Sequence, residues 1–458
     1  MSDDGKPIHL YMSGGGHRAG FGCIGVILAL VHYGRWQRVT RVISVSGGSM
    51  INGALVANRA TDDESTQRAM ATMWRQMTHH GIKPWSTAPR RRGMAGAAAL
   101  VGATAFGIRS LCGSSRRLNG RAGRATGFAS GLVIQPLVVT AGRRIVSVYF
   151  REFLAGSLEP AGEDGITRLS QAEALPRQHI ICATGRATSV PYYFVAGPGH
   201  EEFAWGTELR DGYSVVDAAW ASSSLPGLET VRGPASSEFE ILVDGGASGM
   251  FGEQVNSRLE RSAGTALSGA AAVAPDQPRT DLDSIALVVD AGSHAKPPSR
   301  LLRRLGPLSM IYVLGRWVKA AMEATFVNDL HDFQGNHQIH ITESGRVWRR
   351  SPTPKLGPTI KSPSVIVANE DGTISRLHTD PEILEAVNRG RSETRGLGLL
   401  GVTRSSSLAP IVVGFVATAL EFNPSLTVDE LDDALRVAGE KLGAGNALVD
   451  KWQALLAV

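Results

Sequence analysis

The stretch from Ile8 to Met50 reads IHLYMSGGGHRAGFGCIGVILALVHYGRWQRVTRVISVSGGSM, and it constrains the fold more than any other part of the chain. Two short apolar runs, at residues 8–12 and 42–45, end abruptly in small residues, and a helical pattern at residues 25–33 lies between them. This order predicts a strand, a glycine turn, a helix, a second strand, a sharp turn and a second helix over residues 47–60. Strands alternating with helices at such spacing predict an α/β fold, with a mostly parallel central sheet and helices on both faces. In such sheets the chemistry sits beyond the carboxyl ends of the strands. Here those ends carry Gly14-Gly15-Gly16 and Ser46-Gly47-Gly48.

A serine at the tip of a tight strand-to-helix turn is lifted out of the sheet, with its hydroxyl exposed above the helix N-terminus. The turn needs small neighbours, because flanking side chains would collide. Ser44-Val45-Ser46-Gly47-Gly48 is close to the G-x-S-x-G elbow, with Ser44 in place of the first glycine. Three glycines after the first strand let backbone N–H groups converge on one concavity, which suits a developing oxyanion, and Arg18 adds positive charge beside them. Residues 20–25 (GFGCIG) also match G-x-G-x-x-G, but a dinucleotide site requires an acidic residue about 20 positions further on. After Asp4 the next acidic residue is Asp62, so that requirement fails.

SGGGHRAGFG followed by SVSGGS resembles the patatin-like phospholipases, whose pattern is G-G-G-x-[RK]-G and then G-x-S-x-G. The family's third block, D-G-[GA], is matched by Asp244-Gly245-Gly246 after the β-like run at residues 239–243. Residues 216–227 (VDAAWASSSLPG) are similar to the alanine-serine helix, ended by proline, that lies between them in the family. Departures are Ser44 for glycine, Ala19 for the glycine after Arg18, and Met250 where many bacterial relatives carry asparagine. The resemblance runs from residue 8 to about 345 and implies a three-layer sandwich acting through a two-residue dyad. It makes Ser46 the nucleophile, Asp244 its base, and Gly14, Gly15, Gly16 and Arg18 the oxyanion-hole group. A hydroxyl is a poor nucleophile until a base takes its proton, and a partly buried aspartate is a suitable base. No cofactor or metal is expected. His331, His337 and His340 are near one another in sequence, but no carboxylate or thiol at metal-ligand spacing completes them.

Charge is distributed unevenly. The 458 residues carry a formal +5, yet from Ser65 to Arg151 there is no Asp or Glu among fourteen Arg and Lys residues. Within that stretch, residues 93–108 are uncharged and mildly apolar, too short and too rich in Gly and Ala for a membrane span. Residues 65–151 are expected to form either a solvated surface insertion with glycine loops or a basic lid that meets anionic phospholipid head groups, each basic residue contributing about 1 kcal/mol at such a surface. The stretch lacks interleaved aromatics and any base-reading module, so no nucleic acid polymer is expected as a partner. The resemblance also extends to bacterial patatin-like effectors of antiphage systems, which implies a cyclic-oligonucleotide activator. Three widely spaced cysteines and an N-terminus without a charged-then-apolar leader suggest a cytoplasmic enzyme, peripheral at the inner membrane surface when active.

Further on, the patterns predict strands at residues 179–184, 192–195, 284–290, 337–342 and 364–368, and helices at 214–224, 308–330, 381–388 and from Thr427. Residues 410–420 are apolar enough for a buried strand or helix. Residues 1–345 read as the catalytic domain and 346–458 as an extension that regulates, self-associates or completes the core. The expected function is hydrolysis of phospholipid acyl esters through an acyl-serine. The alternatives are a lipase or thioesterase on soluble acyl esters, and a non-catalytic membrane-binding or ligand-sensing module.

Overall fold

The structure, a computed structural model, describes residues 7–80, 150–158, 165–188, 190–198, 207–224, 231–233, 240–247, 285–290, 338–342, 347–350, 366–368, 374–376, 380–394 and 403–457. Twelve strands are present among them: β1 (Ile8–Met12), β2 (Val39–Val45), β3 (Gln178–Gly185), β4 (Pro191–Ala196), β5 (Thr207–Leu209), β6 (Arg232–Gly233), β7 (Glu240–Asp244), β8 (Ile285–Asp290), β9 (Gln338–Thr342), β10 (Val347–Arg350), β11 (Ile366–Ala368) and β12 (Ile374–Arg376). They form one sheet in the order β12-β11-β10-β9-β8-β1-β2-β3-β4-β5, with β7 paired to β3 and β6 to β7.

The heart of this sheet, β9-β8-β1-β2-β3, is parallel throughout, and antiparallel pairs are confined to the flanks. Every residue of β1 and of β3 is buried, so the sheet is covered on both faces, as in a three-layer α/β sandwich. The register sets Met12 beside Ser44 and Val45 beside Cys182, while Ala183 faces Asp244. Three strand ends that carry chemistry are thereby neighbours before any side chain is considered.

Helices α1 (Gly16–His32), α2 (Gly47–Ala57) and α3 (Asp63–His80) follow the first two strands, and α4 (Val215–Ser223) precedes β7. The C-terminal part adds α5 (Pro381–Thr394), α6 (Arg404–Phe422), α7 (Val428–Leu442) and α8 (Ala447–Leu456). Helix α6 lies along α1 at backbone contact: a Cβ built on Gly25 would stand 2.0 Å from the Ile411 carbonyl oxygen. One built on Gly414 would stand 2.3 Å from the oxygen of Gly22. Removing side chains at both surfaces lets the helices approach this closely. Helix α6 is long and apolar enough to cross a membrane, but 83% of its apolar window is buried inside the protein. It is a core helix.

Two expectations change, and one left open is decided. Helix α1 starts at Gly16, not near residue 25, so Gly20, Gly22 and Gly25 lie inside it and serve packing rather than a turn. The G-x-G-x-x-G match has no loop to cradle a phosphate. The basic insertion does not begin at residue 65, because α3 continues to His80 and buries Ala69, Met70, Met73, Trp74 and Met77 along one face. That i, i+1, i+4, i+5, i+8 spacing is an amphipathic helix, and its basic residues Arg68 and Arg75 lie on the outer side, Arg68 paired with Glu64. The apolar run at 410–420 is helical and extends over the whole of α6, with Pro410 inside it. The expected helix over 308–330, Met250 and the greater part of the basic stretch lie outside the described residues.

Candidate active site

Ser46 stands alone between β2 and α2, with φ 52° and ψ −118°. A non-glycine residue rarely adopts this backbone, which costs of the order of 1–3 kcal/mol and persists only where surroundings enforce it. The enforcement is steric and polar together. A Cβ on Gly47 would lie 2.2 Å from the Gly16 oxygen, and one on Gly48 would lie 2.4 Å from the Met12 oxygen. Only glycines allow α2 to start so close to the loop that leaves β1. The elbow expected from the sequence is therefore present, and its two following glycines are compulsory.

The glycine loop adjoins it. Gly15 and Gly16 have φ 143° and 64°, and a Cβ on Gly14 would come within 3.1 Å of Ser46 Cβ and 3.7 Å of Ser46 Oγ. Helices α1 and α2 both begin here, neither has an acidic residue in its first turn, and neither N-cap makes a side-chain hydrogen bond. Their positive dipole ends therefore face the same small volume. Arg18 is buried in the first turn of α1, next to His17, whose ring meets Phe153 edge-on at 5.5 Å.

Asp244 ends β7 and is 3% exposed. Burial pushes its carboxyl up to about 6, against the opposing effect of hydrogen bonds donated by the Ser46 hydroxyl and the Gly246 N–H, the latter at 2.8 Å. The Ser46–Asp244 pair expected from the sequence is thus brought together beside the glycine loop. The carboxylate is ionised at neutral pH yet basic enough to accept a proton from a hydroxyl as that hydroxyl attacks.

Behind the elbow lies a buried polar chain that sequence reasoning did not reach. The Ser46 N–H donates to Ser222 Oγ at 3.0 Å, and Ser222 Oγ lies 2.7 Å from Ser49 Oγ. Ser49 donates to Ser44 Oγ at 3.1 Å, and Asn52 Nδ2 donates to the same oxygen at 2.8 Å. Asn52 Oδ1 is 2.7 Å from His179 Nδ1. All five side chains are buried. Because Asn52 Nδ2 also faces the carbonyls of Val42 and Ile180, its Oδ1 must be the acceptor toward His179, which fixes the histidine proton on Nδ1. Burial, with the charge of Arg177 adding to it, holds His179 down to about 3, so the ring is neutral. The sequence signal was faint: a serine where the elbow normally has glycine, and single polar residues in the apolar runs around Asn52 and His179.

No curated protein matches the chain with significance. The crystal structure of VipD from Legionella pneumophila is matched at 12% identity over 98% of this chain and 88% of that one, with a TM-score of 0.24, a likeness too loose to inform the site. The model of the patatin-like phospholipase family matches residues 10–255, from β1 past the end of β7, and so spans both Ser46 and Asp244. With the sheet, the glycine loop, the elbow and the D-G-G turn in the family's order over more than half its length, the chain belongs to the patatin-like phospholipase family, a family of lipid acyl hydrolases.

Proposed function

We propose that the chain hydrolyses acyl esters of phospholipids, with Ser46 as nucleophile and Asp244 as its general base. The observation that carries this reading is that Ser46, on its strained elbow beside Gly14, meets the buried Asp244, whose carboxylate the Ser46 side chain stabilises. Asp244 takes the hydroxyl proton while Ser46 Oγ bonds to the ester carbonyl carbon, and the carbonyl π electrons move onto oxygen. N–H groups of the glycine loop, at the positive ends of α1 and α2, face that oxyanion. Collapse re-forms the carbonyl and breaks the ester C–O bond, and the departing lysophospholipid alkoxide takes the proton from Asp244. Water then attacks the acyl-serine, giving its proton to Asp244, and the released Ser46 oxygen recovers it with loss of the fatty acid.

The membrane is the proposed partner and the cytoplasmic face its place. Support comes from composition, in the acid-free stretch between Ser65 and Arg151, diminished by Arg68 and Arg151 being paired with Glu64 and Asp217. Mass spectrometry of fatty acids released from mixed anionic vesicles tests the reading, with a short soluble ester and a cyclic oligonucleotide as further arms. Wild type is expected to release fatty acid, and Ser46→Ala and Asp244→Asn to lower kcat by at least a thousandfold while still binding vesicles. Equal release by wild type and both variants overturns the enzyme reading. Turnover of the soluble ester alone moves the substrate to the lipase or thioesterase class.

A further inference from the structure

The end of α4 holds both members of the dyad. Ser222 Oγ accepts the Ser46 N–H, and two residues on, the Ser224 carbonyl accepts the Asp244 N–H at 2.8 Å. Nucleophile and base thus hang from one turn of one helix, and the spacing between them is the spacing of that turn.

The hydrogen bonds feeding Ser222 run in one direction. The Ser44 hydroxyl donates to the Ile180 carbonyl at 3.3 Å, so its oxygen accepts from Ser49 and Asn52. Ser49 has spent its hydrogen on Ser44, so it must accept from Ser222 across their 2.7 Å contact. Ser222 has then spent its own hydrogen, and its oxygen is left to accept the Ser46 N–H. A chain anchored on β3 therefore ends as an acceptor aimed at the one backbone N–H of the strained elbow residue.

We propose that Ser222 is a positioning residue for the hydrolysis, holding the Ser46 backbone so that its hydroxyl faces Asp244, with Ser44, Ser49, Asn52 and His179 acting through it. This rests on the Ser46–Asp244 reading. Ser44, which departs from the family's glycine, is the hub of the chain, so the substitution that weakened the motif is the one that supplies the brace. Because the Ser46 N–H is committed to Ser222, it is not an oxyanion donor, and that task falls to the loop N–H groups.

Ser222→Ala leaves the Ser46 N–H without its acceptor and frees the elbow to relax. Misplacing a nucleophile by a fraction of an ångström to 1 Å lowers rates by up to about a hundredfold. The expected result is a kcat ten- to a hundredfold lower, an unchanged KM on phospholipid vesicles, and a rate profile whose acid limb moves to higher pH. The limb moves because a displaced Ser46 hydroxyl no longer stabilises the Asp244 carboxylate. A merely structural role lowers the melting temperature without moving that limb. Ser44→Ala, two hydrogen bonds away, is expected to show the same shift with a smaller kcat loss, and it carries the test if Ser222→Ala does not fold. A folded Ser222→Ala or Ser44→Ala with the wild-type kcat and acid limb, beside an inactive Ser46→Ala, overturns the positioning proposal alone. Activity retained in Ser46→Ala overturns the dyad instead.

Discussion

Two buried contacts of this protein solve the same steric problem by opposite means. Along α1 and α6, Gly22, Gly25 and Gly414 remove side chains so that two apolar helices meet at the backbone, and dispersion and exclusion of water hold them. At the elbow, Gly47 and Gly48 remove side chains in the same way against Gly16 and Met12, but behind Ser46 the contact is made by hydroxyls and an amide in a directed chain. An apolar contact is satisfied by many small displacements. A hydrogen-bond chain is satisfied by one geometry and costs the full desolvation of its members if broken. The first kind of contact gives the molecule its bulk, and the second holds a strained serine at one position.

The sharpest way to break this contrast is to insert one methyl at each contact. Gly47→Ala drives a Cβ into the Gly16 carbonyl and is expected to lower kcat by a hundredfold or more, because glycine loop and elbow are forced apart. Gly25→Ala drives a Cβ into the Ile411 carbonyl and is expected to destabilise by about 3 kcal/mol while kcat per folded molecule stays near wild type. Thermal melts and active-site titration of both variants separate the outcomes. Equal loss of kcat in Gly25→Ala would show the two regions to be one unit.

Next in size is a linkage effect at Asp244. Its folded carboxyl, near 6, lies above the ordinary value near 4, so the folded state binds the proton more tightly and loses stability as pH rises from 4 to 6. Above pH 6 the whole penalty is present, on the order of 3 kcal/mol. Asp244→Asn is therefore expected to raise the melting temperature at pH 7.5, with the gain vanishing below pH 4, while abolishing turnover. In wild type, kcat/KM is expected to rise with pH through about 6 and then level off, since only the ionised carboxylate accepts the proton.

Much of the site was legible because its residues are constrained by what may stand beside them. An elbow tolerates only small neighbours, so S-x-S-G-G after an apolar run is visible in one dimension, as is D-G-G after another. The start of α1 was not legible, because three glycines that exist to admit α6 and the elbow look, in sequence, like turn residues. Helix α3 was masked by charge: Arg68 and Arg75 belong to the outer side of a core helix but continue a basic run. The polar chain was hidden for a third reason. Its members come from β2, α2, β3 and α4, and only the register of the sheet brings them together.

The smallest effect belongs at the periphery of the apolar region. Thr427 and Glu430 cap α7 reciprocally, with Glu430 Oε2 accepting the Thr427 N–H at 2.8 Å and Thr427 Oγ1 accepting the Glu430 N–H at 3.3 Å. Thr427→Ala is expected to cost about 1 kcal/mol, read as a lower urea midpoint with an unchanged slope and full activity.

The pairing of α1 with α6 has a consequence for the order in which the chain folds. The glycine loop leads into α1, yet the surface that α1 rests on, at Ile411 and Gly414, lies far along the chain from Gly22 and Gly25. Contacts so distant along the chain form slowly and late. Until α6 docks, the elbow, the loop and the D-G-G turn therefore lack the packing against α1, so the candidate site is among the last parts of the fold to become rigid.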